Sequence, residues 1–360
     1  MPKTNTNTNN PKKQAGGVLR PFLELVRPPA LLTASADSLA GWAWATSTVY
    51  FIQQHPKQFN DSPLIDPMIY DTTNYGIISV LFTAVILMLC STMIYAAGMA
   101  TNDIFDYQED LQDRPFRPLP SQRIRLKTAW CFALGLQITA LIVLAGGLAW
   151  LWGLHSKWPL YLAFFTILMT YLYNKVFKQS MIAPLFMGLC RFGNFWIGAS
   201  LVCSIHSVEL VNASVLNLNQ ALYPSLGTLG YVTALTALSR YEVKGGNAAR
   251  LWAGLLVVLS THPIWWQLLD ISWVTFSLVQ EILLYPITLA CTFWIYSKLS
   301  PLLKGDHSAS QVQKAVGTGI RGVALTNICL CIAFGLWPFA LLLFVLALTA
   351  GKVARWFYAT

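Results

Sequence analysis

Three aspartates stand close together in the sequence, directly after a long apolar run. Asp103, Asp106 and Asp110 follow residues 81–100, which contain no charged side chain. If a helix continues through them at about 100° per residue, the three carboxylates share a face about 60° wide. Such crowded carboxylates repel one another, and Mg²⁺, which prefers a few carboxylates together with substrate phosphates, would compensate them. The alternative interpretation is a solvated acidic loop without a metal.

Basic residues follow the aspartates and recur further along the chain. Arg114 and Arg117 come directly after them, and Lys175, Arg240 and Lys244 follow two later apolar segments. Arginine and lysine donate charge-assisted hydrogen bonds to phosphate oxygens. The pattern therefore predicts a diphosphate-binding site, although basic residues that only anchor a membrane topology would give the same distribution.

The composition indicates what kind of protein carries these residues. Apolar residues make up 55% of the chain and charged residues 11%, and the mean hydropathy is +0.52. These values are typical of a polytopic membrane protein, so we predict an all-α fold. Nine stretches reach the roughly 20 apolar residues that a membrane span needs. They cover approximately residues 30–52, 76–100, 128–153, 156–173, 182–205, 222–239, 249–268, 274–298 and 319–348.

The basic residues predict the orientation of these spans. With nine spans, nineteen of the 24 Lys and Arg fall on one side and four on the other, while Arg191 lies within a span. The positive-inside rule then places the N-terminus in the cytoplasm and the C-terminus outside, in the inner membrane if the source is bacterial. The net charge of +9 reflects this topology and attraction to anionic lipid or substrate, so we expect no nucleic-acid partner. We predict a disordered basic tail over 1–19 and one transmembrane domain over 20–360.

Two charged residues lie deep within predicted spans, where charge is costly. At about 1.5 Å per residue, Asp37 and Arg191 both lie roughly 12–15 Å from the cytoplasmic starts of the first and fifth spans. Their matching depths allow an ion pair, with Asn194 one turn above Arg191. Two interpretations remain open: a purely structural pair, or side chains that line the pocket of an acceptor substrate.

Three motifs in the chain stand out together: Asn102-Asp103-x-x-Asp106-x-x-x-Asp110, Arg117-Pro118-Leu119-Pro120-Ser121 and Tyr171-x-x-x-Lys175. The first two resemble the first signature of the UbiA superfamily of intramembrane prenyltransferases, and the third resembles the Tyr-x-x-x-Lys element of that family. The resemblance implies a bundle of about nine helices in which these aspartates bind Mg²⁺ and diphosphate. It also implies transfer of a prenyl group to an acceptor.

Four further segments carry a narrower resemblance: Thr33-Ala-Ser-Ala-Asp37-Ser-Leu-Ala-Gly41, Met187-Gly-Leu-Cys-Arg191-Phe-Gly-Asn194, Ser239-Arg240-Tyr-Glu242-Val-Lys-Gly-Gly-Asn247 and Lys314-Ala-Val-Gly-Thr-Gly. They resemble the UbiA-like proteins called EboC, which implies membership of a conserved biosynthetic or export gene cluster. The chain departs from the general family at the second signature, Asp-x-x-Asp-x-x-x-Asp, where it has Ser239, Glu242 and Gly246. A second Mg²⁺ site is therefore in doubt, with Arg240 and Lys244 as direct ligands of diphosphate oxygens.

The sequence thus predicts a membrane prenyltransferase-like protein that binds a polyprenyl diphosphate through Mg²⁺. We assign Asp103, Asp106 and Asp110 to the metal, and Glu242 as a remnant of the second site. The predicted substrate-binding residues are Asn102, Arg114, Arg117, Tyr171, Lys175, Asn194, Arg191, Arg240, Lys244 and Asp37. Two alternatives remain: a UbiA-type terpene cyclase, which needs no acceptor, and a non-catalytic lipid-binding or export component.

Overall fold

All regular elements in the computed structural model are helices, within the residues that it describes: 19–54, 77–152, 157–201, 219–265 and 278–358. The predicted N-terminal tail lies outside them, apart from Leu19. The helices are α1 (Leu19–Val26), α2 (Pro28–Gln54), α3 (Ile77–Phe105), α4 (Tyr107–Asp113), α5 (Leu126–Trp152), α6 (Trp158–Tyr171), α7 (Ala183–Ala199), α8 (Asn219–Ser239), α9 (Ala249–Leu259), α10 (Leu278–Leu303), α11 (Ala309–Ala333) and α12 (Trp337–Tyr358). A π-helical segment, Leu172–Phe177, continues α6, and a 3₁₀ turn, His262–Ile264, follows α9.

Five helical segments of the described chain are long and apolar enough to cross a membrane, judged by length and composition. They are Leu81–Phe105, Leu126–Gly147, Trp158–Phe177, Ile282–Leu303 and Ala309–Ala333, and two shorter apolar helical segments are Ala248–Ile264 and Trp337–Thr349. Several apolar helices agree with an integral membrane protein. The predicted count of nine spans is not confirmed.

The ninth predicted span, 319–348, is wrong, because two helices occupy it. α11 ends in a Schellman motif: Gly335 has a φ of 76°, its N–H donates to Ile332 O, and the Leu336 N–H donates to Cys331 O. Glycine adopts this left-handed conformation without the steric cost that a Cβ imposes. Trp337 then opens α12, which packs against α11 and α2. The chain therefore reverses where a continuous span was expected.

The centre of the bundle depends on an unusually close contact between α2 and α7. A Cβ added to Gly41 would lie 1.9 Å from Phe195 O, and one added to Gly198 would lie 2.0 Å from Ser38 O. Small residues at helix crossings allow backbones to approach in this way, and dispersion then replaces the hydrophobic driving force that lipid does not supply. Trp42 is buried beside this crossing, and α3 and α11 also pack on α2.

One end of the bundle collects the charged connections. α1 packs on α3, and its Glu24 binds Arg20 on its own helix and Arg123 in the connection after α4. At the same end, the Gly246 N–H donates to His307 O at 3.2 Å, which ties the connection between α8 and α9 to that between α10 and α11. We call this region the charged end.

Candidate functional site

The acidic stretch is helical but interrupted at its middle. α3 ends at Phe105, Asp106 lies in a turn, and α4 follows. The Asp106 N–H still donates to Asn102 O at 3.0 Å, and the Asp110 N–H to Asp106 O at 2.8 Å. Because the i to i+4 pattern persists, the three carboxylates remain at one end of the bundle. They separate into two groups, however, each with its own cationic partner.

Asp103 and Asp110 form an arginine-bridged pair. Arg117 Nη1 lies 2.7 Å from Asp110 Oδ2 and 3.4 Å from Asp103 Oδ1, and both carboxylates are buried. Arg27 Nη2 lies 2.8 Å from Asp103 Oδ1. Arg114 Nη1 is 3.8 Å from Asp110 Oδ1, and its side chain is 47% exposed. Two buried carboxylates thus converge on a cationic atom, which is the charge compensation that their crowding requires.

Asp106 belongs to a second group, with Asn102 and Lys178. Asn102 Nδ2 donates to Asp106 Oδ2 at 3.1 Å, Lys178 Nζ donates to Asn102 Oδ1 at 3.0 Å, and Lys178 forms an ion pair with Asp106. Asn102 therefore holds both the carboxylate and the ammonium group in place. The predicted contact of Asn102 with substrate stays a prediction.

The lysine at this group is not the one in the Tyr-x-x-x-Lys element. The π-helical hydrogen bonds of Leu172–Phe177 join residues five apart, so the segment holds more residues per turn than an α-helix and changes which side chains face α3. Asn174 is buried and donates from Nδ2 to Thr101 Oγ1 at 3.3 Å, and Lys178 reaches Asp106. Lys175 is exposed, and its side chain forms no hydrogen bond or ion pair with the described residues. Its role as a diphosphate ligand stays a prediction.

Tyr171 is engaged by its neighbours on the other side of the acidic stretch. Its hydroxyl donates to Gln137 Oε1 on α5 at 3.3 Å, and its ring packs edge-on against Phe105, with 6.4 Å between centroids. The side chain therefore braces the end of α3 between α5 and α6. A contact with substrate stays a prediction.

The degenerate second signature contributes cations more than ligands for a metal. Ser239 Oγ donates within its own helix to Thr236 O at 2.9 Å, and Gly246 has no side chain. Arg240 Nη2 donates to the backbone O of Ser180 and, at 3.4 Å, to that of Lys178. Arg240 thus supports the connection that carries the lysine of the Asp106 group.

Glu242 is the one acid in the second signature, and it is half-buried. Burial raises the pKa of its carboxyl above the ordinary value of 4.5, and the nearby positive charge of Arg114 opposes that shift. Gln313 Nε2 donates to its backbone O at 3.3 Å. Lys244 is exposed, and its side chain forms no hydrogen bond or ion pair with the residues that the structure describes. A partly desolvated single carboxylate is a weak basis for a second metal site.

Asp37 and Arg191 form the ion pair that their matching depths predicted. Arg191 Nη1 lies 2.7 Å from Asp37 Oδ2 and also donates to Thr33 O at 2.8 Å. Asn327 Nδ2 donates to Asp37 Oδ1 at 2.9 Å, and Asp37 is 0% exposed. The predicted Asn194 donates to Ala34 O at 2.5 Å and accepts from Ser91 at 2.6 Å. The ion pair itself is therefore present, and contact of these side chains with an acceptor stays a prediction.

Sequence reasoning did not single out Arg27 or Lys178 as members of the site. Both were counted only as basic residues of connections. Arg27 has a φ of 49°, and this left-handed turn between α1 and α2 accompanies its contact with Asp103. Lys178 comes four residues after Asn174. Once the π-helical segment is known, this spacing places both side chains on the side of the helix that faces the end of α3.

The donor chemistry of this end fits Mg²⁺ with a diphosphate. Among the described residues, no three His, Cys, Asp or Glu side chains are grouped closely enough to hold a metal ion by themselves. Mg²⁺ is usually bound by one or two carboxylates with substrate phosphates completing the shell. Asp103 and Asp110 can supply the carboxylates, and the cations that now neutralise them can bind phosphate oxygens.

The fold and site together define a helical membrane protein with paired acids and cations at one end of its bundle. Residues 72–310, more than half of the chain, match the model of the UbiA prenyltransferase family. The chain belongs to this family. The match includes the acidic stretch, the π-helical segment and the degenerate second signature.

Curated relatives agree with this assignment over shorter stretches. The digeranylgeranylglyceryl phosphate synthase of Methanococcus aeolicus is 27% identical over 161 residues, which cover 45% of this chain and 44% of that protein. The enzyme of the same name from Methanosarcina barkeri is 43% identical over 53 residues, 15% of this chain and 18% of that one. The chain thus matches less than half the length of these relatives.

Solved structures resemble the whole bundle at low identity. A structure concerned with digeranylgeranylglyceryl phosphate synthase in membranes has a TM-score of 0.53 and 18% identity, and covers 88% of this chain and 98% of that one. A UbiA homologue from Archaeoglobus fulgidus bound to DMAPP and Mg²⁺ has a TM-score of 0.50 and 17% identity, with coverage of 88% and 99%. At these identities the likeness shows the fold.

Proposed function

We propose that this protein is an intramembrane prenyltransferase that binds a prenyl diphosphate with Mg²⁺ at the charged end and transfers the prenyl group to a second substrate. The observation that carries the proposal is the convergence of buried Asp103 and Asp110 on Arg117, with Asp106 and Lys178 beside them. The names of the curated relatives and of the Archaeoglobus structure support this class of reaction. Membership of the narrower EboC family is part of the same proposal.

The paired acids and cations suit a prenyl diphosphate bound with Mg²⁺, because the metal is positive and the diphosphate is negative. Asp103 and Asp110 would take the metal, while Arg117, Arg27 and Lys178, released from their carboxylates, would take the diphosphate oxygens. An ion pair exchanged for another ion pair leaves no buried charge uncompensated, which would otherwise cost several kcal/mol. Exposed Arg114 and Lys175 lie at the same end and add positive charge.

The reaction requires little covalent chemistry from these side chains. When bound, Mg²⁺ would withdraw charge from the diphosphate leaving group. Arg117 and Lys178 stabilise the negative charge that grows on the leaving oxygens, and Arg240 holds the connection that positions Lys178. The aromatic Tyr173, which is partly buried in the π-helical segment, would exclude water and face a developing carbocation.

Substitution of Asp110 in the site, with Asp113 outside it as the control, tests the binding of the prenyl diphosphate. In lipid nanodiscs with Mg²⁺, Asp110→Asn should weaken geranyl diphosphate affinity at least roughly tenfold, or about 1.4 kcal/mol. Asp113→Asn, on the same short helix but exposed, should leave the affinity unchanged. Equal affinities for the wild type and both variants would refute the proposed metal site.

The degenerate second signature favours one competing function, a non-catalytic lipid-binding component. It has a single half-buried acid where the family pattern has three. Diphosphate release separates the possibilities: release only when cell extract supplies an acceptor supports a transferase. Release without extract indicates a cyclase, and binding without release under either condition indicates the non-catalytic role.

A further inference from the structure

We infer that a buried polar layer across the middle of the bundle stops the donor's hydrocarbon tail and makes the site selective for a short, geranyl-sized diphosphate. The layer consists of Thr33, Asp37, Ser91, Arg191, Asn194 and Asn327. The inference rests on the proposed function, since it assumes a prenyl diphosphate bound at the charged end.

The polar layer joins four helices at one level. Asp37 on α2 accepts hydrogen bonds from Arg191 on α7 at 2.7 Å and from Asn327 on α11 at 2.9 Å. Ser91 on α3 donates to Asn194 on α7 at 2.6 Å. All four helices are therefore linked by side chains that are at least nine-tenths buried, and a hydrocarbon chain cannot pass without breaking these contacts.

The route beyond the layer is closed between α2 and α7 as well. The glycine crossing lies directly beyond the layer, one turn past Asp37 and two turns past Arg191, and a Cβ added to Gly41 or Gly198 would meet a carbonyl oxygen at 1.9 or 2.0 Å. A gap too small for a methyl group is too small for an isoprene unit. Trp42 and Phe195 fill the adjoining space and are at most 1% exposed.

Tyr95 marks the near side of the layer. Its ring lies 4.9 Å from Arg191 Cζ, and it stands eight residues before Asp103 on the same helix, which is about 12 Å at 1.5 Å per residue. A tail that rises from the acidic stretch thus meets the ring of Tyr95 and then the Asp37–Arg191 ion pair.

The distance along α3 from Asp103 to Tyr95 sets the length of the hydrocarbon tail that the site can hold. An extended isoprene unit spans roughly 5 Å, from four carbon–carbon bonds of about 1.5 Å each, so about 12 Å accommodates two units. A third unit would have to displace Tyr95 or the Asp37–Arg191 pair. Separating that pair would leave a charge without its partner in a low-dielectric interior, which is strongly unfavourable.

The test is an affinity series with dimethylallyl, geranyl, farnesyl and geranylgeranyl diphosphates, measured by calorimetry on the full chain in nanodiscs with Mg²⁺. We expect affinity to rise from dimethylallyl to geranyl and then to level off or fall. A further rise of tenfold or more from geranyl to geranylgeranyl would overturn the inference, because the tail would then have another exit. If none of the four binds, the proposed function itself fails.

A pair of variants on α3 tests the position of the stop. Tyr95→Ala should move the preferred donor from geranyl to farnesyl, since it opens space below the ion pair. Leu89→Ala, on the same helix but 45% exposed to the outside, should leave the order of affinities as in the wild type. An unchanged order in Tyr95→Ala would place the stop elsewhere and refute this part of the inference.

Discussion

At the level of single side chains, the ion pairs of the molecule are of two kinds, which differ in how far they are exposed. Asp37 and Arg191 are enclosed and satisfied by each other and by amide groups. The acids of the charged end are paired with cations that remain partly exposed, such as Arg117 and Lys178. Enclosed pairs are costly to open, whereas partly exposed pairs can exchange partners with a ligand. This difference separates the scaffold from the site.

The enclosed pair leads to a double-substitution prediction. Asp37→Asn and Arg191→Gln should each destabilise the protein by about 3–5 kcal/mol, because each leaves one buried charge without its partner. The double variant should recover part of the loss in folded yield and in unfolding temperature, both measured in detergent. Strictly additive losses would contradict the coupling that the 2.7 Å contact implies.

Glu242 leads to a prediction about pH. Its pKa is raised in the folded protein by burial, so folding favours the protonated carboxyl, and this contribution is lost as the pH rises through the folded value. Glu242→Gln should therefore match the wild type in unfolding temperature near pH 4, roughly the unfolded pKa, and exceed it near pH 7. The exposed Glu109, changed to Gln, should give no such pH-dependent gain. A wild type more stable than Glu242→Gln at pH 7 would contradict this account.

At the level of helices, two irregularities decide what faces the site. The turn at Asp106 divides the acids into two groups, and the π-helical segment changes which lysine meets them. At both places the chain continues in nearly the same direction, but the side chains that follow point in different directions from those of a regular α-helix. Such local irregularities are frequent at functional sites.

The register of the π-helical segment can be tested with two matched lysines. Lys178→Met should weaken Mg²⁺-dependent binding of geranyl diphosphate at least roughly tenfold, because it removes the cation at Asp106. Lys175→Met should change the affinity by less than about threefold, since that side chain is exposed and forms no hydrogen bond or ion pair with the described residues. The reverse order of effects would restore the Tyr-x-x-x-Lys lysine as the ligand.

The crossing of α2 and α7 gives a prediction about stability. Gly41→Ala should destabilise by about 1–3 kcal/mol or more, because its Cβ would lie 1.9 Å from a carbonyl oxygen and the helices would have to separate. Gly135→Ala is the matched control, since no atom lies within 4 Å of the added Cβ. Unfolding temperatures in the same detergent give the comparison. A Gly41→Ala variant as stable as Gly135→Ala would show that the crossing is looser than described.

For the molecule as a whole, the reversal at Gly335 changes the predicted topology. α11 starts beside His307 at the charged end, and α12 returns along α11 and α2. Residues near the end of α12 should therefore lie on the same side as Arg117 and Lys244, which the charge distribution places in the cytoplasm. The nine-span count had placed them on the opposite side.

Labelling of single cysteines in sealed vesicles, in a background without the native cysteines, tests this topology. Lys244→Cys and Ala354→Cys should react from the same side, and Trp337→Cys from the other. Agreement would also place Lys352 and Arg355 on the side that carries most of the Lys and Arg residues, which increases the charge difference between the two sides of the membrane. Reaction of Ala354→Cys from the side of Trp337→Cys would restore an odd number of spans.

The residue types alone were sufficient to predict a helical membrane protein, a cluster of acids and cations as a candidate site, and the buried Asp37–Arg191 pair. Apolar length predicts spans because hydrocarbon demands it, and Asp103, Asp106 and Asp110 could be recognised from their spacing because helical geometry is local. The depths of Asp37 and Arg191 were enough to pair them, since both follow from counting residues along helices. Even the end of α11 had a local signal in Gly335 followed by Pro338, although the apolar run concealed it.

Only the packed structure decided which partners these residues take. Arg27 meets Asp103 across 76 positions of sequence. Lys178, and not Lys175, pairs with Asp106, because the π-helical segment shifts the register and no local pattern predicts that segment. The contact of Asn327 with Asp37 spans 290 positions and depends on how α11 lies against α2. Such contacts follow from the mutual fit of several helices, where one added methyl group at Gly41 would move the backbone, so they exist only after the whole bundle has packed.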